Sequence, residues 1–488
     1  MNPIDPLLKN VEKNIRKKTN NDEDVVIKKI SFFDYKFCVV FRETLSYRDT
    51  INNYILDFIE KEMLLRKKKI KDIINFVEDN IPINKSIRIT TYSELFYNLA
   101  SGYTTVFIEG EKEAISFETR ANLNSDIDIA KNEVVLKGPK DAFTENYQTN
   151  IGMIRKRIKS ENLWIKELKV GNLSQTKIGI LYINGITSKE LVKTLEDKIS
   201  KINIDAIVDG NYVIETISGN RKNVFPTVIY TERPDNATMQ LLEGKIVIVV
   251  ENSPFVIILP MLFVELFHST EDNYQKPINA NYTRFIRVLA FIITVMTPAV
   301  YVAMTTYNHE AIPSDLLINF SMQRDGVPFP TIIEAILMLL TFEILKETDT
   351  RIPNAIGSSL SIVGALVLGD AAVTAGIVSP IMVIVVAITS ISGFILSYLD
   401  VINGIRWWRL FFLIFASLAG IIGIVVMGFI FIINLTSMKS LGIPYLSPIA
   451  PTMKKDINRG IFITNKSRFF RRASYSTRNV IKGRESTK

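Results

Sequence analysis

Glu334, Glu343, Lys346, Glu347 and Arg351 stand in an otherwise mostly apolar run that begins at Val327 (VPFPTIIEAILMLLTFEILKETDTR). Carboxylates in such a setting can line a polar path for ions or pair with a nearby cation, as Glu347 and Arg351 can at i,i+4 of a helix. A carboxylate at the centre of a lipid-facing helix costs at least about 2.5–3.5 kcal/mol. Glu343 and Glu347 are one turn apart and Glu334 falls on roughly the opposite side, so no single face hides all three. The segment is therefore expected to be interfacial, re-entrant or packed against a wet cavity.

Behind it comes a stripe of small residues, Gly357, Ser361, Ala365 and Gly369, at four-residue spacing, with Gly364 beside it. Small residues at that spacing let helices approach closely, either within one subunit or around a pore. Asp370 adds a titratable group at the end of the stripe. A third charged cluster lies far upstream. Thr231, Glu232, Arg233, Pro234 and Asp235 form a compact turn, read either as an exposed Arg–carboxylate pair or as a docking corner near a membrane surface.

Other chemistries lack raw material. The chain has one cysteine and two histidines, His268 and His309, so disulfide frameworks, Cys-based zinc sites and Ser-His-Asp triads are not expected. There is no phosphate loop and no G-x-G-x-x-G. No enzymatic activity, cofactor, metal or nucleic-acid partner is expected.

The elements that must position these residues fall into two halves. The 488 residues carry a net charge of +8, but the hydrophobicity is segregated. The fold class expected is α+β: a cytoplasmic N-terminal region of two α/β subdomains, then a polytopic α-helical membrane domain of about four spans. Residues 1–24 read as a flexible arm, 25–138 and 139–244 as the subdomains, and 245–283 as an interfacial linker. Residues 284–438 read as the membrane domain and 439–488 as a basic cytoplasmic tail.

In the first subdomain, Thr104–Ile108 and Ala114–Phe117 flank Glu109-Gly110-Glu111 as a hairpin. In the second, residues 177–183 form an apolar strand, and Thr187 to Glu190 has capping-box spacing. Spans are expected at about 288–308, 353–377, 380–399 and 410–436, with the acidic segment 331–346 not crossing. Eleven Lys or Arg against two acidic residues after Pro451 place the tail inside by the positive-inside rule. The missing signal sequence agrees, so both termini are expected in the cytoplasm. Arg406 to Arg409, with two Trp between, reads as an interfacial anchor.

Several strings together resemble the A subunit of the GerA-type spore germinant receptors, the GerABKA family. They are Phe225-Pro226 with Thr231 to Asp235, Glu243 to Lys245 and Asn252 to Pro254. Arg284, Arg287, Pro298 to Tyr301, and Val327 to Pro330 with Glu334 follow. The strongest block is Phe342 to Glu347, followed by Arg351 to Pro353, Gly357, Ile362 to Gly364, Gly369, Ala372-Val373, Gly376 to Ser379 and Gly442 to Tyr445. The family usually has Arg where this chain has Lys346, and Gln where it has Asp370. Lysine keeps the charge but loses bidentate geometry.

The resemblance implies a subunit of a nutrient receptor in the spore inner membrane. It would act with a transporter-like B-type subunit and a C-type lipoprotein, as a homo-oligomeric, gated ion-conducting component. A secondary transporter of small solutes or ions is the alternative reading.

Overall fold

The computed structural model describes residues 3–32, 35–65, 72–83, 85–121, 129–218, 224–351, 368–396 and 399–453, with 456, 472, 474 and 477. Strands β1 (Val25–Phe32), β2 (Tyr35–Arg42), β3 (Ser86–Ile89), β4 (Tyr103–Ile108) and β5 (Ala114–Glu118) form an antiparallel sheet in the order β1-β2-β4-β5-β3. Strands β6 (Leu163–Val170), β7 (Thr176–Ile183), β8 (Ile229–Thr231), β9 (Ile246–Val250) and β10 (Val256–Leu259) form a second, in the order β6-β7-β9-β10-β8.

The two sheets have one topology, and the helices repeat with them. Helix α1 (Leu8–Thr19) precedes the first sheet and α3 (Tyr147–Arg157) the second. Helix α2 (Tyr92–Ala100) and α4 (Pro234–Leu242) each link an edge strand to the central hairpin. Single contacts match too: Ile4 N donates to Thr90 O at 2.9 Å, and Phe143 N to Glu232 O at 2.8 Å. Gly102 (φ +80°) and Gly244 (φ +90°) each take a left-handed turn between helix and strand, a conformation that glycine adopts without a steric cost. The N-terminal half is a tandem repeat.

Three expectations are corrected here. The arm expected over residues 1–24 contains a packed helix. Leu8, Val11, Ile15 and Thr19 recur on one face of α1 and are buried against the first sheet, so the charged residues between them line only its outer side. The interfacial linker expected from residue 245 is instead the middle of the second sheet, because β9 and β10 are buried along their whole length. Their unbroken hydrophobicity reflects burial on both faces, although the pairing is antiparallel. Thr187 caps nothing: its hydroxyl accepts from Ile183 N, and Ser188 is the N-cap, without a side-chain bond. The hairpin of β4 and β5 is present as expected.

The repeats are joined by buried charge. Arg155 on α3 reaches out of the second repeat to Asp22 and, at 3.0 Å, Asp24 of the first, where Arg42 also lies 3.3 Å from Asp22 and 3.5 Å from Asp24. All four side chains are nearly inaccessible.

Helix α5 (Pro277–Thr306) leaves the second repeat, and residues 399–437 return to it. These two stretches are long and apolar enough to cross a membrane. The second is not one helix. Ala419 and Gly420 leave helical geometry, Gly420 at φ +60°. Trp408 and Phe431 then lie 4.7 Å apart, whereas a continuous helix rising 1.5 Å per residue would separate them by about 35 Å. Residues 399–418 (α8) and 421–437 (α9) are thus an antiparallel hairpin, and the single span expected over 410–436 is broken at its middle. The hairpin's tip rests on the end of α5: Ile421 N donates to Asn308 Oδ1 at 3.0 Å. A Cβ at Gly420 would meet that oxygen at 2.4 Å.

One hydrophobic core continues from the second repeat into the bundle, through Phe225, Phe267, Phe291, Trp408, Met438 and Tyr445. Residues 439–445 fold back onto the repeat. Ser440 Oγ donates to Thr227 O at 2.6 Å and Tyr445 Oη to Pro226 O at 2.8 Å. The start of the expected tail is therefore packed structure. The joint leaves no room at Gly404, where a Cβ would meet the Phe225 ring at 2.9 Å and Val224 O at 3.0 Å. Gly404→Ala should lower the stability of the full chain in detergent by about 1–3 kcal/mol. Gly428→Ala, which faces open space, should not, and thermal unfolding of the two variants checks the contrast.

Candidate functional site

Helix α6 (Thr331–Arg351) carries the acidic residues singled out by the sequence. It does not lie apart from the bundle. Its first turns pack with Tyr301 and Val302 near the end of α5 and with Val378 and Met382, where α7 (Pro380–Phe394) begins. Further along, Glu343 and Lys346 lie beside Thr294, Phe394 and Arg409. The helix therefore runs along the bundle from the end remote from the two repeats towards the end that joins them.

Glu334 is completely inaccessible and sits at the remote end. Its Oε2 accepts from Ser379 N at 3.0 Å and Ser379 Oγ at 2.9 Å, while Arg324 lies 3.7 Å from Oε1. Ser379 also caps α7 by accepting from Met382 N. One carboxylate thus holds α6, the start of α7 and the Ser314–Arg324 helix together. Glu343, on the opposite side of α6, faces α8. Arg406 lies 2.8 Å from its Oε2 and Arg409 2.9 Å from its Oε1.

No single face does hide the three acids: two neighbours on two faces each take one, and Glu347 stays exposed. The anchor reading of Arg406 to Arg409 is corrected with it. Trp408 and Arg409 are buried, and only Trp407 projects outward. The charges of that motif close an ion pair, which sequence reasoning missed. The available signal was the rule that charges among apolar helices seek each other.

Of the remaining candidates, Glu347 and Asp370 are exposed and Gly369 makes ordinary contact with Val383. Gly357, Ser361, Gly364 and Ala365 lie outside the described residues, as does the side chain of Arg351.

The corner at Thr231 to Asp235 is buried, which excludes the exposed-turn reading. Arg233 pairs with Asp235 at 2.9 Å and donates to the carbonyls of Glu133 and Pro139 at 3.1 and 2.7 Å. Glu232 Oε1 accepts from Asn132 N and Glu133 N at 2.6 and 2.7 Å. The knot fastens the connection between the repeats to β8 and α4. Nearby, Arg284 and Arg287 at the start of α5 converge on the fully buried Asp272, each at 2.9 Å. Lys245 pairs with Glu265 at 2.6 Å. The approach to the bundle is thus locked by three buried ion pairs.

Inside the knot, burial pushes the Glu133 carboxyl up to about 7. Glu232 and Asp235 push the same way, against the Thr231 hydroxyl that Glu133 accepts at 2.6 Å and the Arg233 guanidinium. Between about 4.5 and 7 the folded chain holds a proton that the unfolded chain has released, so stability falls as pH rises through that window and levels above it. The fall should be about 2 kcal/mol, reduced by partial exposure from the full shift. Melting curves at pH 5 and pH 8 test this, and Glu133→Gln should narrow the difference.

A family model described as "Bacillus/Clostridium GerA spore germination protein" matches residues 13–475. The chain is 37% identical to spore germination protein KA of Bacillus subtilis (strain 168), over 93% of this chain and 84% of that one. It is 32% identical to spore germination protein GerLA of Bacillus cereus, over 91% of each. Among solved structures, the N-terminal domain of the A subunit of the Bacillus megaterium spore germinant receptor GerK3 aligns with 54% of this chain and 97% of its own, at 27% identity and a TM-score of 0.43.

Proposed function

The chain belongs to the GerA family of spore germination proteins, and from that premise we propose that it is the A-type subunit of a nutrient germinant receptor. In this reading it is a multi-pass protein of the spore inner membrane with both termini in the cytoplasm. It works with a transporter-like B-type subunit and a C-type lipoprotein, as a homo-oligomer that forms a gated path for ions.

The observation that carries the reading is the shared core between the second repeat and the bundle. The chain enters the bundle through Phe291 and leaves it through Met438 and Tyr445, all packed against the second repeat. Entry and exit at one end require an even number of passes. Helix α6 is one of them in this reading: with Glu334 and Glu343 satisfied by neighbours, the energetic ground for keeping it out of the membrane falls away.

Glu334 and Glu343 then brace the helices, and Glu347, Asp370 and the small-residue stripe remain as the groups that line or close the path. A nutrient sensed by a partner shifts the bundle between two packings. The role is not enzymatic. Purification with its partners, oligomer-size measurement and ion flux in liposomes test it. Solute accumulation driven by the chain alone would favour the transporter.

A further inference from the structure

A small cleft opens between α6, α7 and α8 at the end of the bundle nearest the soluble repeats, with a free volume of about 40 Å³. A cavity needs about 10–15 Å³ of occupied volume to hold one water, so the cleft admits a small polar group such as a phosphate.

Its lining is unbalanced in charge. Lys346, Arg406 and Arg409 face it with one carboxylate, Glu343, which both arginines already share. The Lys346 ammonium lies 5.2 Å from the centre of the Phe394 ring and makes no ion pair among the described residues. Arg406 Nε is buried without a hydrogen-bond partner. Three cations against one anion among apolar helices are costly to desolvate. Paired guanidiniums with an ammonium match the oxygens of a phosphate group.

The surroundings indicate which phosphate. Ile388, Ile391 and Phe394 form an outward apolar track on α7 that ends at the cleft. A free anion has no use for that track, but an acyl chain does.

We propose that Lys346, Arg406 and Arg409, balanced by Glu343, bind the phosphate head of an anionic phospholipid whose chain lies along α7. This rests on the membrane reading above. The bound lipid would fill the charge deficit at the joint and tie α6, α7 and α8 to one leaflet.

The test uses the full chain reconstituted in vesicles of phosphatidylglycerol or phosphatidylcholine, with lipid retention on extraction and melting temperature as readouts. Wild type should retain phosphatidylglycerol and melt higher with it. Lys346→Gln, which breaks no ion pair, should weaken the preference at least tenfold, and Arg406→Gln should do the same. Lys439→Gln, which does not line the cleft, should leave it intact. A preference that survives in both cleft variants, or that Lys439→Gln abolishes equally, overturns the site. Equal stabilisation of the detergent-solubilised chain by inorganic phosphate overturns the lipid as its source. A chain that inserts without any preference sinks this proposal alone, whereas one that does not insert sinks the membrane reading with it.

Discussion

Arg155→Ala should cost about 3–5 kcal/mol of stability, the range for breaking a buried ion pair by removing one partner. The change leaves Asp22 and Asp24 facing each other with Arg42 alone between them, all three inaccessible. The carboxylates then keep one guanidinium where they had two. Arg155→Lys should recover only part of the loss, since one ammonium cannot reproduce contacts from Nε and a terminal nitrogen to different carboxylates. Chemical denaturation of the full chain in detergent measures both. Because Arg155 is the second repeat's contribution to a cluster built by the first, the loss should appear as an earlier, separate unfolding of the first repeat. A single unchanged transition would show that the charges do not hold the repeats together.

The second large effect is expected at Glu343. Glu343→Ala strands Arg406 and Arg409 among apolar helices and should also cost about 3–5 kcal/mol. Glu343→Gln keeps hydrogen-bond acceptors and should cost less while still removing the charge. If the pair braces α6 against α8 during gating, both variants should lose nutrient-triggered germination. Charge reversal across the pair, Glu343→Arg with Arg409→Glu, should restore part of it. Normal germination in Glu343→Gln spores would reduce the ion pair to a packing detail.

Local pattern carried some of this architecture and not the rest. Two β-rich runs, 104–108 and 114–117, predict the hairpin of β4 and β5, because both strands and their turn are contiguous. Helix α1 shows how composition can mislead: four apolar or small residues on one face are enough to pack, yet eight intervening positions make the segment look solvated. Strands β9 and β10 read as membrane-proximal because full burial inside a sheet and burial in lipid select the same residues. The hairpin at Gly420 had a length signal, since the apolar stretch from 399 to 437 is about twice what one crossing needs.

Partners across space were not legible. Glu343 and Arg409 are 66 residues apart, and nothing local to either names the other. The repeat of the N-terminal half lies in strand order and turn positions such as Gly102 and Gly244.

In the proposed function the repeats and the bundle act as one body that opens an ion path when a nutrient is sensed. Ion flux from liposomes carrying the full chain with its B-type and C-type partners tests it most directly. Nutrient-dependent flux is expected from the complete set, with loss of that flux in Glu343→Ala. Sealed liposomes with every subunit inserted and no flux on adding nutrient would contradict it.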